Sequence, residues 1–186
     1  MAMLWPDHLL TLADWDDLPE NNERKIELAE GVLAVSPRPT SIHQRVIIRL
    51  ATQLNSQLPA ELEALGEVEV VIEETPPPTV RIPDVCVVPA LDDAVVRWDA
   101  TDVLLAVEIL SPGTRRTDRI TKFAEYAEAG IEHYWLVDIE APASITAYRL
   151  VADQYKLIAD TSAPTAIELA GTQLIIDPTT LLTTRR

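Results

Sequence analysis

Two periodicities divide the chain. In "SIHQRVIIRLATQLNSQL" the apolar positions fall at 42, 46, 47, 50, 54 and 58, the stripe of a helix with one buried face, and Thr40 or Ser41 is placed to cap its start. Helical spacing returns from Arg115 to Ala129, where Ile120, Phe123, Ala124 and Ala127 form a core stripe and Gly130 ends the helix. Elsewhere the pattern is that of strands. "KIELAEGVLAVSP" predicts two short strands folded about Ala29, Glu30 and Gly31, and "EVEVVIEE" predicts another. "DVCVV", "VLLAVEIL" and "HYWLVD" are apolar at nearly every position, as strands covered on both faces are. "SITAYRL", "QYKLIAD" and "TAIELA" predict a β-meander that finishes the sheet. The expected fold class is α/β: one mixed β-sheet flanked by two principal helices, with an N-terminal β-hairpin and a C-terminal β-meander.

Length and composition narrow this to a single domain over residues 1–186. The chain has 186 residues and a hydrophobic fraction of 47%, enough for a real core. No repeat or long linker interrupts it, and the three prolines of "EETPPPTVRIPD" enforce an extended connection between strands. No apolar run approaches the ~20 residues that cross a bilayer. The start, "MAMLWPDHLLTLADWDD", lacks the basic stretch and cleavage site of a secretion signal. Cys86 is the only cysteine, which excludes a disulfide framework and a cysteine zinc site. A soluble cytoplasmic protein with no membrane partner is expected.

The net charge of −15 argues against a generally basic nucleic-acid surface, but the charge is unevenly distributed. Residues 36–58 hold three arginines (Arg38, Arg45, Arg49) and no acid, and residues 109–122 hold four bases and one acid. Residues 59–108, between them, hold twelve acids and two bases. Two basic islands thus stand in an acidic chain. Each is an ordinary solvated face unless the fold brings them together.

The sequence has no glycine-rich phosphate loop and no G-x-S-x-G elbow, and His8, His43 and His133 are too scattered for an H-E-x-x-H metal site. What remains is a set of acids at the ends of buried strands. Asp84 opens "DVCVV" directly after Pro83, and Glu108 lies near the end of "VLLAVEIL" between the apolar neighbours Ala106 and Leu110. An unpaired ionised acid there costs several kcal/mol of desolvation. A divalent cation compensates it, and two acids from adjacent strands with a backbone carbonyl suit Mg²⁺ or Mn²⁺. An ion pair from Glu108 to Arg115 or Arg119, with Asp84 capping a turn, compensates it equally well. Asp118, Lys122 and Tyr126 share one helix face at i, i+4 and i+8, so Lys122 points back toward the strand tips. Arg115, Arg116 and Arg119 suit phosphate contacts better than base recognition.

Three segments, "KIELAEGVLAVSPRPTSIHQRV", "RIPDVCVV" and "VEILSPGTRRTDRITKFAEYAEAGIEHYWLVD", resemble the Uma2 family, also called DUF820, of restriction-endonuclease-like proteins in the PD-(D/E)XK nuclease superfamily. The resemblance implies a restriction endonuclease-like core and a Mg²⁺- or Mn²⁺-dependent endonuclease acting on DNA. It implies Asp84 and Glu108 as metal ligands, joined by the Ile109 carbonyl. The usual E-x-K lysine is absent, since Leu110 stands in its place, and Lys122 on the following helix takes its role. Glu27 corresponds to an acid that many superfamily members contribute from the N-terminal region. His43 and Gln44 match the family pattern without an assigned role. Arg45, with Arg38 and Arg49, is expected to form a second DNA-facing wall opposite Arg115, Arg116 and Arg119. A homodimer is expected because cutting two strands takes two active sites. The alternative is a catalytically silent nuclease-fold protein that binds nucleic acid or serves assembly.

Overall fold

The computed structural model describes residues 7–19, 24–91 and 94–183. A short helix, α1 (Leu12–Asp16), starts with a capping box between Thr11 and Asp14. The hairpin β1 (Arg24–Ala29) and β2 (Val32–Pro37) follows as expected, with Leu28 opposite Leu33. Its turn holds Glu30 and Gly31 at φ values of 48° and 76°, the left-handed region that a glycine enters without penalty. Helix α2 (Ser41–Asn55) is capped by Thr40, whose side chain accepts the His43 N–H, and it buries Val46, Ile47, Leu50 and Leu54.

The strands that follow are β3 (Leu62–Gly66), β4 (Glu69–Glu73), β5 (Thr79–Arg81), β6 (Val85–Pro89), β7 (Arg97–Asp99) and β8 (Leu105–Leu110). A π-helical turn at Thr117–Thr121 runs into α3 (Lys122–Glu128), and β9 (His133–Asp138) returns parallel to β8. The chain ends through β10 (Ser144–Val151), β11 (Gln154–Thr161), β12 (Thr165–Leu169) and β13 (Thr172–Ile176). Among the described residues no helix is long and apolar enough to cross a membrane.

The α/β class holds, but the expected single sheet is divided. One sheet has five strands in the order β2-β1-β5-β4-β7, a second has six in the order β11-β10-β9-β8-β6-β3, and β12 and β13 form a separate ribbon. The division lies at Arg81-Ile82-Pro83-Asp84. Pro83 has no N–H to continue a ladder, so the chain leaves the five-stranded sheet after β5 and enters the six-stranded one at β6. The meander splits likewise: β10 and β11 extend the large sheet, while "TAIELA" pairs with β13 instead.

The six-stranded sheet is covered on both faces, which explains its unbroken apolar strands. Val85, Val87, Leu105, Val107, Ile109, Trp135 and Val137 pack with α2 and the β12–β13 ribbon. The alternate residues Cys86, Val88, Ala106, Leu110, Tyr134 and Leu136 pack with Tyr126 of α3 and with Val70 and Trp98 of the other sheet. The expected stripe of the second helix is corrected. Ile120 is 59% exposed and Ala124 is exposed, while Asp118, Lys122 and Tyr126 are buried. A π turn is wider than an α turn and rotates the residues that follow it, so the polar face is the one turned inward. Phe123 remains half-buried among Tyr134, Tyr148 and Tyr155, with ring centroids 5.0–6.0 Å apart.

Candidate active site

Strand register brings the two acids together. β6 and β8 are antiparallel neighbours with Val85 opposite Val107, and one step beyond that pair stand Asp84 and Glu108. Each is only 3% exposed. The Ile109 N–H donates to Asp84 Oδ2 at 2.7 Å and fixes the carboxylate across the two strands. Lys25 Nζ donates to Asp84 Oδ1 at 2.8 Å, and His43 Nε2 lies 3.2 Å from Oδ2. Glu108 Oε1 accepts from Lys122 Nζ at 2.9 Å and from the Tyr126 hydroxyl at 2.8 Å. Glu108 pairs with neither Arg115 nor Arg119, since Arg115 is held by Asp138 at 2.8 Å and Glu140 at 3.1 Å.

The five-stranded sheet contributes the opposite side. Glu27 on β1 is buried and accepts from the Ile82 N–H at 3.0 Å, from Lys122 Nζ at 2.9 Å and from Arg81 at 3.3 Å. Arg81, on β5, also donates to Glu125 of α3 at 2.6 and 2.8 Å. Lys122 is therefore the joint between the two sheets, bonded to one acid from each. Its Nζ also lies 3.9 Å from Asp118, whose two carboxylate oxygens are buried with no hydrogen-bond partner among the described residues. Asp84, Glu108 and Lys122, expected from spacing, and Glu27, expected from the resemblance, lie together, and Lys25, Arg81 and the orphaned Asp118 carboxylate join them. Lys25 and Glu27 are two apart on β1, the alternation that puts both on one face.

The two central carboxyls are pushed in opposite directions. Burial drives Glu108 up to about 7, against the pull of the Lys122 ammonium. Burial also disfavours ionised Asp84, but the hydrogen bond with His43 and the Lys25 charge outweigh it and hold Asp84 well below the ordinary carboxylate range. Burial works against charged Lys122, yet Glu108, Glu27 and Asp118 hold it protonated far above the usual lysine value. Lys122 is thus a fixed cation. It is suited to stabilising negative charge and not to removing a proton.

These groups line a cleft of about 720 Å³, reached past Arg38, Ser111, Thr114 and Arg115. Arg45 and Arg49 do not form its opposite wall as expected. They line a separate groove of about 830 Å³ with Ile48, Gln53 and Thr180, and Arg49 donates to the Thr180 and Leu181 carbonyls. The reason is helix phase: α2 turns His43 and its apolar stripe inward, which carries Arg45 and Arg49 around to another side. Of that island only Arg38 lines the cleft. Arg116 and Arg119 are exposed.

The arrangement of strands, helices and cleft has a counterpart among solved structures. The crystal structure of a putative nuclease belonging to DUF820 from Anabaena variabilis ATCC 29413 is 19% identical, with a TM-score of 0.71 over 94% of this chain and 99% of that one, and it shares the fold. Among curated proteins none matches. The model of the Uma2 family, described as a putative restriction endonuclease, matches residues 12–178, a span that includes every residue of the carboxylate–lysine cluster, and the chain belongs to that family.

Proposed function

We propose that this protein is a divalent-metal-dependent endonuclease that hydrolyses DNA phosphodiester bonds in the cleft between its two sheets. The observation that carries the proposal is the convergence of Asp84 and Glu108 from adjacent strands, with Lys122 Nζ 2.9 Å from Glu108. Family membership supports the nuclease class.

The residues fit a hard divalent cation. Glu27, Asp84, Glu108, Asp118 and Glu125 surround Lys25, Arg81 and Lys122, so five carboxylates meet three permanent cations. Acids outnumber the permanent cations here, and Asp84 and Glu108 bring hard carboxylate oxygens to one point, the donor type a divalent Mg²⁺ or Mn²⁺ takes. Among the described residues no three His, Cys, Asp or Glu side chains form a ready ligand set. Mg²⁺ does not need one, because it is commonly bound by one or two carboxylates and waters. Asp84, Glu108 and the Ile109 carbonyl would hold it, and when bound it acidifies water and neutralises phosphate charge. Lys122 stabilises the charge that grows on the phosphate. Glu27 and Glu108 orient that ammonium between the sheets. Arg38 and Arg115 position the DNA backbone at the mouth, and acidic surroundings bias DNA toward this one opening.

Incubation with plasmid DNA and Mn²⁺ should give cleavage that Asp84→Ala and Lys122→Ala each reduce by about 100-fold or more. Cleavage that persists undiminished in both variants would falsify the assignment. One feature favours a second possibility, a silent nucleic-acid-binding module: Asp84 already accepts from Lys25, His43 and the Ile109 N–H. Salt-sensitive DNA binding without metal-dependent cleavage distinguishes it.

A further inference from the structure

The occupation of both Asp84 oxygens points to a device in the cleft. We infer that Lys25 is an internal competitor for the cation position at Asp84, closing that carboxylate in the free protein and withdrawing when a divalent ion binds. This rests on the metal-dependent function proposed above and adds its regulation.

Asp84 has three partners of unequal character. The Ile109 N–H is backbone within β8, and its 2.7 Å contact is part of the sheet. His43 is buried in the first turn of α2, held by the helix and its cap. Lys25 alone reaches Asp84 on a flexible stem. The Ile109 N–H and His43 both sit on Oδ2, so Oδ1 is the oxygen left for a metal ion, and the Lys25 ammonium stands against it at 2.8 Å. Two cations cannot share it. Lys25 makes its one ion pair among the described residues with Asp84, whereas Lys122 is held by Glu27 and Glu108 together. Lys25 is therefore the cation that can leave without stranding several partners.

It also has somewhere to go. Its side chain is 16% exposed, and it lines both the main cleft and a second groove with Trp15, Asp16 and Glu69. On the cleft side a DNA phosphate offers the displaced ammonium a new partner, and on the other side lie Asp16 and Glu69, acids that Arg97 already engages. DNA that draws Lys25 off Asp84 thereby frees a metal position, so metal and DNA binding reinforce each other reciprocally. The free protein holds metal weakly, which keeps the site quiet until substrate arrives.

The test is calorimetric titration of the whole chain with Mn²⁺ in the absence of DNA. If Lys25 occupies Asp84 nine-tenths of the time, Lys25→Met tightens Mn²⁺ binding about tenfold. Lys25→Arg, which keeps the charge and the reach, stays close to the wild-type affinity. Arg115→Met removes a cleft cation that does not touch Asp84 and leaves the affinity nearly unchanged. In an Asp84→Asn background Lys25→Met has no effect. Should Lys25→Met fold poorly, Lys25→Gln gives the same direction, and Mn²⁺ raises the melting temperature of either variant more than that of the wild type. Equal Mn²⁺ affinity in wild type and Lys25→Met overturns the inference while leaving the nuclease assignment in place. An equal gain in Arg115→Met also overturns it, because the effect is then general charge. Absence of Mn²⁺ binding in every variant overturns both.

Discussion

Strand β8 presents two faces buried to the same degree and built in opposite ways. Leu105, Val107 and Ile109 meet Val46, Ile47, Leu50 and Leu54 of α2, a contact with no charge in it. Ala106, Glu108 and Leu110 face α3, and there Glu108 is enclosed with Lys122, Tyr126 and Glu27. The first face gains free energy simply by leaving water, roughly 25 cal/mol per Å² of apolar surface. The second loses the hydration of at least three charged groups and recovers it only through good geometry. Well-packed apolar residues in such a place are often neutral or stabilising. A fold that keeps ions there, one residue away from a purely apolar layer, does not keep them for stability alone, and under the proposed function it keeps them for hydrolysis.

The sharpest way to break that comparison is to remove the cation of the charged face. Lys122→Met leaves Glu108 and Glu27 buried without their common partner, and a drop of about 3–5 kcal/mol in chemical denaturation is expected together with loss of cleavage. On the apolar face Leu50→Ala opens a cavity in a fully buried layer. It should lower stability by about 3 kcal/mol. The outcomes diverge in activity. Cleavage per folded molecule survives Leu50→Ala below its melting range, because α2 contributes only His43 to the Asp84 carboxylate. Comparable activity losses in both variants would mean that the faces are mechanically inseparable.

The legibility of the two faces in the sequence was also unequal. The apolar face announces itself, since the stripe of α2 and the unbroken strands "DVCVV" and "HYWLVD" admit few other readings. Asp84, Glu108 and Lys122 were legible because each violates a pattern: an acid after a proline at a strand start, an acid inside an apolar run, a lysine on one helix face with Tyr126. Lys25 and Arg81 were not. Their contacts with Asp84 and Glu27 span 59 and 54 residues and depend on the five-stranded sheet closing against the six-stranded one. Local spacing carries no information about which of two extended runs joins which sheet. Arg45 failed for a related reason. An amphipathic stripe fixes which side of α2 is inward, but not which outward residue a distant cleft will meet. The π turn before Lys122 has no pattern of its own, so regular helical spacing points Ile120 to the core, whereas the wider turn leaves it exposed.

A finer probe of the charged face is its one acid with no hydrogen-bond partner among the described residues. Asp118 is buried with both oxygens unpartnered among the described residues, and burial pushes its carboxyl up despite the Lys122 charge. At neutral pH the ionised form costs stability. Asp118→Asn should therefore raise stability by about 1 kcal/mol, read as a higher denaturation midpoint, because the neutral amide still lacks partners but no longer buries a charge. Cleavage should fall in the same variant, since the cluster loses one of the carboxylates that attract a divalent ion. A stability gain with undiminished cleavage would make Asp118 a bystander.

The smallest effect sharpens the comparison from the apolar side. That face has polar atoms without partners too, but they are neutral: His133 Nδ1 and Trp135 Nε1 are both buried and unbonded among the described residues. Burial holds the His133 imidazole below its ordinary value, with Arg149 adding to the effect and Glu132 opposing it. A histidine lowered in this way contributes stability that is complete above about 6.5, its unfolded value, and is lost as pH falls toward its folded value. Denaturation midpoints of the wild type should decline on that acid limb, and those of His133→Phe should decline less, because phenylalanine has no proton to take up. The two faces then differ in kind at the same depth. One tolerates an orphaned dipole as long as it stays neutral, whereas the other assembles charge around Lys122, and under the proposed function it is the second that meets the phosphate.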